Sequence, residues 1–267
     1  MNFQDKLDNI VKKNNSLVCV GLDSEIDKIP EKIRNGEHPQ TTFNKGIIEA
    51  TADLVCAYKL NTAFYEQRGK GGVEAEKMTC DYLREKYPEI PIIIDAKRGD
   101  IGNTSEAYTK YVFEYLRGDA VTLHPYLGCE ANQPFLNFKD KGVFILCRTS
   151  NPGAGEFQDL EINGEKIWEI VAENVAKKWN KKNNCFLVAG ATYPEELAQI
   201  RKIVGDMTLL VPGIGAQGGD VEKTVKAGLN SKKAGMIINS SRGIIFSANP
   251  RAESQKLRDE INKYRAG

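Results

Sequence analysis

Ile92-Ile93-Ile94-Asp95-Ala96-Lys97-Arg98-Gly99-Asp100 runs from an uninterrupted apolar stretch straight into a knot of charge. An apolar run without polar alternation suits a strand buried on both faces of a parallel sheet. Seven comparable runs lie at residues 17–21, 54–60, 120–123, 143–147, 186–189, 209–211 and 236–238. Segments with helical periodicity lie between them, at 73–87, 104–116, 166–181, 194–204, 221–227 and 250–264. Pro88 ends the first of these and Gly118 the second. Eight strands alternating with helices is the arithmetic of an α/β fold of the (β/α)8 TIM barrel type. An open doubly wound sheet competes with it, but Gly21-Leu22-Asp23-Ser24 after the first strand is not the glycine fingerprint of that fold.

A chain of 267 residues matches the roughly 250 that such a barrel uses. No linker, fixed-period repeat or low-complexity tract divides it, so one domain over 1–267 is expected. The stretches 24–40 and 153–164 are longer than minimal connections, and long ordered loops often carry function.

Composition narrows the function classes. Hydrophobic residues make up 41% and charged ones 27%, as in folded globular chains. Thirty-seven Lys and Arg against 36 Asp and Glu leave a net charge of +1, which offers no global attraction for nucleic acid or an anionic membrane. No apolar run approaches the roughly 20 residues of a membrane helix. The first residues, Met1-Asn2-Phe3-Gln4-Asp5-Lys6, lack a basic leader before an apolar block, so a cytoplasmic location is expected. Cys19, Cys56, Cys80, Cys129, Cys147 and Cys185 show no CxxC or Cys/His spacing and read as reduced, mostly buried thiols. With only His38 and His124, a histidine metal site is not expected.

In a barrel the chemistry belongs at the C-terminal ends of the strands. These ends read Asp23, Lys59-Leu60-Asn61, Asp95 to Asp100, Arg148-Thr149-Ser150, the glycine loop Pro212 to Gly219, and Asn239 to Gly243. Alternation along a strand places Asp95 and Lys97 on one face, the barrel interior, where Lys59 of the neighbouring strand can join them. Charges confined together in this way must neutralise one another. The loop from Gly213 to Gly219 allows backbone amides to approach an anion closely, and Arg242 after the last strand can supply a bidentate charge. A phosphate site between the last two strand ends recurs in barrels. His124 reads as a strand-end residue bonded to nearby backbone, His38-Pro39 as a turn before a helix, and Trp168 and Trp179 as packing.

Taken together these motifs resemble the orotidine 5′-phosphate decarboxylase family. The resemblance rests on Gly21-Leu22-Asp23, Tyr58-Lys59-Leu60-Asn61, Asp95-Ala96-Lys97-Arg98-Gly99-Asp100-Ile101, Ser150-Asn151-Pro152-Gly153-Ala154, Pro212 to Asp220 and Ser241-Arg242-Gly243, in order along almost the whole chain. The length and the long segment after Ser150 are similar to the type 2 subgroup of many bacterial enzymes. The resemblance implies decarboxylation of orotidine 5′-phosphate to uridine 5′-phosphate in pyrimidine biosynthesis, without metal or organic cofactor. It implies a homodimer with shared active sites. Lys97 would protonate the carbon that loses carbon dioxide, within a network of Lys59, Asp95 and Asp100. Asp100 would reach into the partner's site, with Ile101 and Thr104 lining the pocket. Asp23 and Lys59 would contact ribose hydroxyls, Ser150 the pyrimidine, and Gln217 and Arg242 the phosphate, with Gln217 also bridging to the base.

The chemistry of the residues is compatible with this. Decarboxylation leaves charge on carbon, and a fixed ammonium can stabilise that charge and then donate a proton. The alternative is a magnesium-dependent sugar-phosphate lyase or decarboxylase, which shares a D-x-K-x-x-D element. Lys59, the serine before Asn151-Pro152-Gly153 and the Gln217 loop favour the nucleotide. A non-catalytic sensor of a phosphorylated metabolite is a third reading, but mere binding does not require opposed charges at the barrel mouth.

Overall fold

The structure, a computed structural model, describes residues 1–214 and 219–265. Eight parallel strands form the interior: β1 (Val18–Gly21), β2 (Ala57–Asn61), β3 (Ile92–Arg98), β4 (Ala120–Leu123), β5 (Gly142–Arg148), β6 (Cys185–Ala189), β7 (Leu209–Pro212) and β8 (Met236–Ser240). Each pairs with its neighbour in the chain, and β8 pairs back onto β1 to close the barrel. The expected (β/α)8 TIM barrel is therefore the observed fold. The strands are buried almost throughout, which is why their sequences read as unbroken apolar runs.

The longer helices are α1 (Phe3–Asn14), α2 (Pro39–Thr51), α3 (Lys70–Lys86), α4 (Gly102–Thr109), α5 (Gly128–Leu136), α6 (Ile167–Asn174), α7 (Pro194–Val204), α8 (Val221–Gly228) and α9 (Pro250–Arg265). α4 and α6 continue into wider turns at Lys110–Tyr115 and Val175–Trp179. Pro39 opens α2, so His38-Pro39 is the turn before a helix, as read.

The apolar pattern misplaces one strand start. Residues 54–56 are buried but belong to the turn entering β2, where the Leu54 amide donates to the Thr51 carbonyl. Burial without alternation cannot tell the last turn before a strand from the strand itself. Two of these longer helices went unannounced. α5 carries Pro134 inside it and has few apolar residues in register. α1 does show a signal, with Phe3, Leu7 and Ile10 buried at helical spacing and Asn2 Oδ1 accepting from the Asp5 amide. It plugs the N-terminal end of the barrel. The Phe3 ring lies 5.6 Å from Phe144 and 5.3 Å from Phe186, and it packs so closely that a Cβ on Gly142 would meet it at 2.8 Å.

All six cysteines are free, five of them buried and Cys129 partly so. Trp168 is buried and Trp179 packs against the core, as expected of packing residues. Among the described residues no helix is long and apolar enough to cross a membrane.

One charge inside the helical layer is not offset. Glu76 of α3 is fully buried, accepts a hydrogen bond from the Tyr111 hydroxyl at 3.0 Å, and leaves its second oxygen unpartnered among the described residues. Burial, against the opposing pull of that hydrogen bond, pushes its carboxyl up to about 7. An unfolded glutamate titrates near about 4.3. The folded state therefore holds the proton between those values, and stability falls as pH rises through that window. We expect Glu76→Gln, which mimics the protonated form, to stabilise the protein by about 3 kcal/mol near pH 8 and much less near pH 5. Thermal unfolding of both proteins across this range checks it; a pH-independent difference contradicts it.

Candidate active site

The open, C-terminal end of the barrel holds a cavity of about 890 Å³, within the size range of small-molecule sites. Its wall includes Asp23, Lys59, Asp95, Lys97, Thr122, Ser150, Gly213 and Arg242. Strand register explains how the charged side chains meet. Lys59 on β2 lies level with Gly21 of β1 and Ile93 of β3. Asp23 and Asp95 stand two residues further along their own segments, one inward layer nearer the mouth. The four-carbon lysine stem rises through that layer and places its ammonium between the two carboxylates, 3.4 Å from Asp23 Oδ1 and 3.1 Å from Asp95 Oδ2. The other Asp95 oxygen accepts from Lys97 Nζ at 2.7 Å and from the Thr122 hydroxyl at 2.8 Å. Asp23 also accepts from the Asn61 amide at 3.3 Å.

The result is a ladder of alternating charge: Asp23, Lys59, Asp95, Lys97. Lys59 and Asp95 are buried, and isolated charges there would be costly. Burial works to raise the Asp95 carboxyl, but Lys59 and Lys97 outweigh it and hold it well below the usual carboxylate range. Burial likewise works to lower the Lys59 ammonium, and Asp23 and Asp95 outweigh it and hold it above its ordinary value. Lys97, with 48% of its side chain exposed, stands free to meet a ligand in the cavity.

Lys97 does not reach this position by the alternation expected of it. From Ile94 to Arg98, β3 takes four residue steps while β4 takes two, from Val121 to Leu123. Lys97 occupies this bulge with φ of 46°, a left-handed conformation that costs a non-glycine residue on the order of 1 kcal/mol. Its amide donates to Thr122 Oγ1 at 3.0 Å. Arg98 leaves in another direction, pairing with Glu66 and lying over the Tyr108 ring at 5.1 Å.

β7 and β8 complete the cavity. In the closed strand order β7 stands diametrically across from β3. Gly213 follows it with φ of 104°, and Ser240 at the end of β8, with Ser241 and Arg242 after it, lines the wall. Gln217 lies outside the described residues. The cavity also presents Leu146, Val188 and Leu210, in register across β5, β6 and β7, as an apolar patch.

The Ser150 side of the wall is built by residues the sequence did not single out. Arg148, buried at the end of β5, donates from Nε to Glu196 Oε2 at 2.6 Å and from Nη2 to Asp159 Oδ2 at 3.2 Å. Its guanidinium lies 4.6 Å from the Tyr193 ring centre. It thereby ties the 151–159 segment to α7. Gln158, from the long stretch after Ser150, accepts from the Thr149 amide at 2.9 Å and lines the cavity. Ser150 packs so tightly against Gly190 that a Cβ there would meet its own Cβ at 3.0 Å. Thr122 is the other omission. Its signal was a single polar residue in the apolar run of β4. Asn239 is buried, lines the cavity and leaves Oδ1 unpartnered among the described residues.

Three expected residues stay apart. Asp100, Ile101 and Thr104 lie outside the cavity, and Asp100 accepts from the Ile101 amide at 2.8 Å instead of joining the ladder of its own chain. His124 bonds the Gly99 carbonyl at 3.2 Å, the backbone role expected of it.

Comparison with known proteins agrees with this geometry. A model of the Orotidine 5'-phosphate decarboxylase / HUMPS family matches residues 16–257. The orotidine 5′-phosphate decarboxylase of Cellvibrio japonicus (strain Ueda107) is 45% identical, with 100% of each chain covered. That of Dechloromonas aromatica (strain RCB) is 46% identical, covering 99% of this chain and 100% of the relative. Among solved structures, Leishmania donovani OMP decarboxylase matches with a TM-score of 0.90 at 38% identity and full coverage of both chains. Leishmania donovani UMP synthase matches with a TM-score of 0.91 at 40% identity, over 99% of this chain and 57% of that one. A barrel of matching topology, a charged ladder at its mouth and full-length likeness converge on one conclusion: the chain belongs to the orotidine 5′-phosphate decarboxylase / HUMPS family.

Proposed function

We propose that this protein decarboxylates orotidine 5′-phosphate to uridine 5′-phosphate and carbon dioxide, as a cytoplasmic enzyme of pyrimidine biosynthesis needing no metal or organic cofactor. The observation that carries this reading is the Asp23–Lys59–Asp95–Lys97 ladder facing, across one cavity, a wall with Gly213 and Arg242. The span suits a ligand with a phosphate at one end and a reacting carbon at the other.

The bond from the ring carbon to the carboxylate breaks, and its electron pair stays on the carbon. Lys97 stabilises that charge as it develops, because its ammonium is held in place before the reaction begins. It then passes one proton to the carbon, giving the product base, and is reprotonated from solvent at the open mouth. Lys59 and Asp95 hold the ammonium in register. Asp23 and Lys59 bind the ribose hydroxyls, Ser150 the pyrimidine, and Arg242 with Gln217 the phosphate. Phosphate contacts far from the reacting carbon contribute by positioning the substrate and excluding water.

A homodimer belongs to the same proposal, with Asp100, Ile101 and Thr104 delivered to the partner's cavity. Ile101, Tyr126 and Leu127 are exposed apolar side chains on the loops after β3 and β4, a surface that a second copy would cover. For the magnesium-dependent alternative, a divalent cation would need the space between Asp23 and Asp95. The Lys59 ammonium fills that space and would repel it.

Three measurements test the reading. Purified protein treated with a chelator should consume orotidine 5′-phosphate at full rate, followed by loss of its absorbance; dependence on added metal favours the alternative. Lys97→Ala should lower kcat by about 10³-fold or more while the affinity for uridine 5′-phosphate largely survives. Near-normal turnover refutes the role of Lys97. Arg242→Ala should raise KM roughly 10- to 100-fold, the worth of a lost charge-assisted contact, and an unchanged KM removes Arg242 from the phosphate site.

A further inference from the structure

Resting on the reading above, we infer that Thr122 is the positioning residue that sets Lys97 for proton delivery, by locking the backbone bulge of β3 to the carboxylate that holds the amine. The Thr122 hydroxyl touches both ends of this arrangement. It accepts from the Lys97 backbone amide at 3.0 Å and donates to Asp95 Oδ1 at 2.8 Å. The direction of each bond is forced. An amide can only donate and an ionised carboxylate can only accept, so the single hydroxyl proton must go to Asp95.

The geometry gives this hydroxyl a task that the ladder itself cannot perform. Lys97 sits at φ 46° in the bulge between Ile94 and Arg98, where strand pairing is broken. No strand partner fixes its backbone there, and the amide hydrogen bond to Thr122 stands in the place of a ladder bond. Asp95 Oδ1 is in turn shared between Thr122 and the Lys97 ammonium at 2.7 Å. Backbone, carboxylate and amine of one short segment are thus referenced to one side chain on β4. Thr122 is buried to 1% exposure, so water cannot readily take its place. β4 is otherwise apolar from Ala120 to Leu123, so the Thr122 hydroxyl is the one polar side-chain group on the strand.

Thr122→Val keeps the shape and removes the hydroxyl, whereas Thr122→Ser keeps the hydroxyl and removes a methyl. We expect Thr122→Val to lower kcat for orotidine 5′-phosphate at least about tenfold, equivalent to about 1.4 kcal/mol of transition-state stabilisation, with KM within about twofold of the parent. Thr122→Ser should hold kcat within about threefold. Thr122→Ala also lacks the hydroxyl and carries the expectation of the valine variant should the latter fail to fold. Unaltered kcat in the folded hydroxyl-free variant overturns the inference, as does equal impairment of the serine variant. A raised KM at constant kcat overturns it too, by making Thr122 a substrate contact. The parent protein in the same assay separates the two ideas: no turnover by the parent retires the proposed function, while parent turnover matched by Thr122→Val retires only the role of Thr122.

Discussion

Asp95 shares one buried carboxylate among three donors, and the rest of the site is arranged around that fact. Two ammonium groups and a hydroxyl converge on its two oxygens. Lys59 and Asp95 would each be costly alone at such depth, since burial penalises both and their mutual pairing offsets the penalty. The pairing also fixes the charge state. Asp95 has its pKa depressed, so the stability it lends is present above the unfolded value near about 4 and fades only as pH falls through the folded one. Lys59 has its pKa raised, so its contribution is complete below the unfolded value near about 10.4 and fades as pH climbs through the folded one. Across the broad interval between, Lys59 and Asp95 keep the same charges.

The barrel makes this ladder possible by geometry. Adjacent parallel strands bring residues at known register into one layer, and a long lysine stem reaches from one layer to the next. The same closure places β7 opposite β3, which separates the wall bearing Gly213 from the amine by the width of the barrel. The long segment after Ser150 then closes one side, anchored by the buried Arg148 fork on Glu196 and Asp159. A guanidinium is suited to that junction, because its planar donors can hold two carboxylates in fixed relative position.

Much of this was legible in the chain. Apolar runs buried on both faces announced eight strands, and the charged residues that ended them announced the site. Asp23, Lys59, Asp95, Lys97, Ser150 and Arg242 all reached one cavity. The pattern was less informative where residues serve through others. Thr122 sits inside an apolar run as an unremarkable polar residue, and its importance lies in a partner 25 positions earlier. Arg148 looked like one charge among several at a strand end, because Glu196 lies 48 positions away. Asp100, Ile101 and Thr104 did not enter the cavity of their own chain.

The order of apolar runs and the identity of the residues that end them were determined by the sequence alone, because a strand buried on both faces leaves few choices of composition and its exposed end is where charge becomes affordable. The tertiary structure decided how those charges meet. The bulge after Ile94 overrode simple alternation, and the depth of each strand in the barrel set which lysine is enclosed between carboxylates and which is left open to a ligand. These depend on register and on contacts between distant segments, and neither is written in any local stretch of chain.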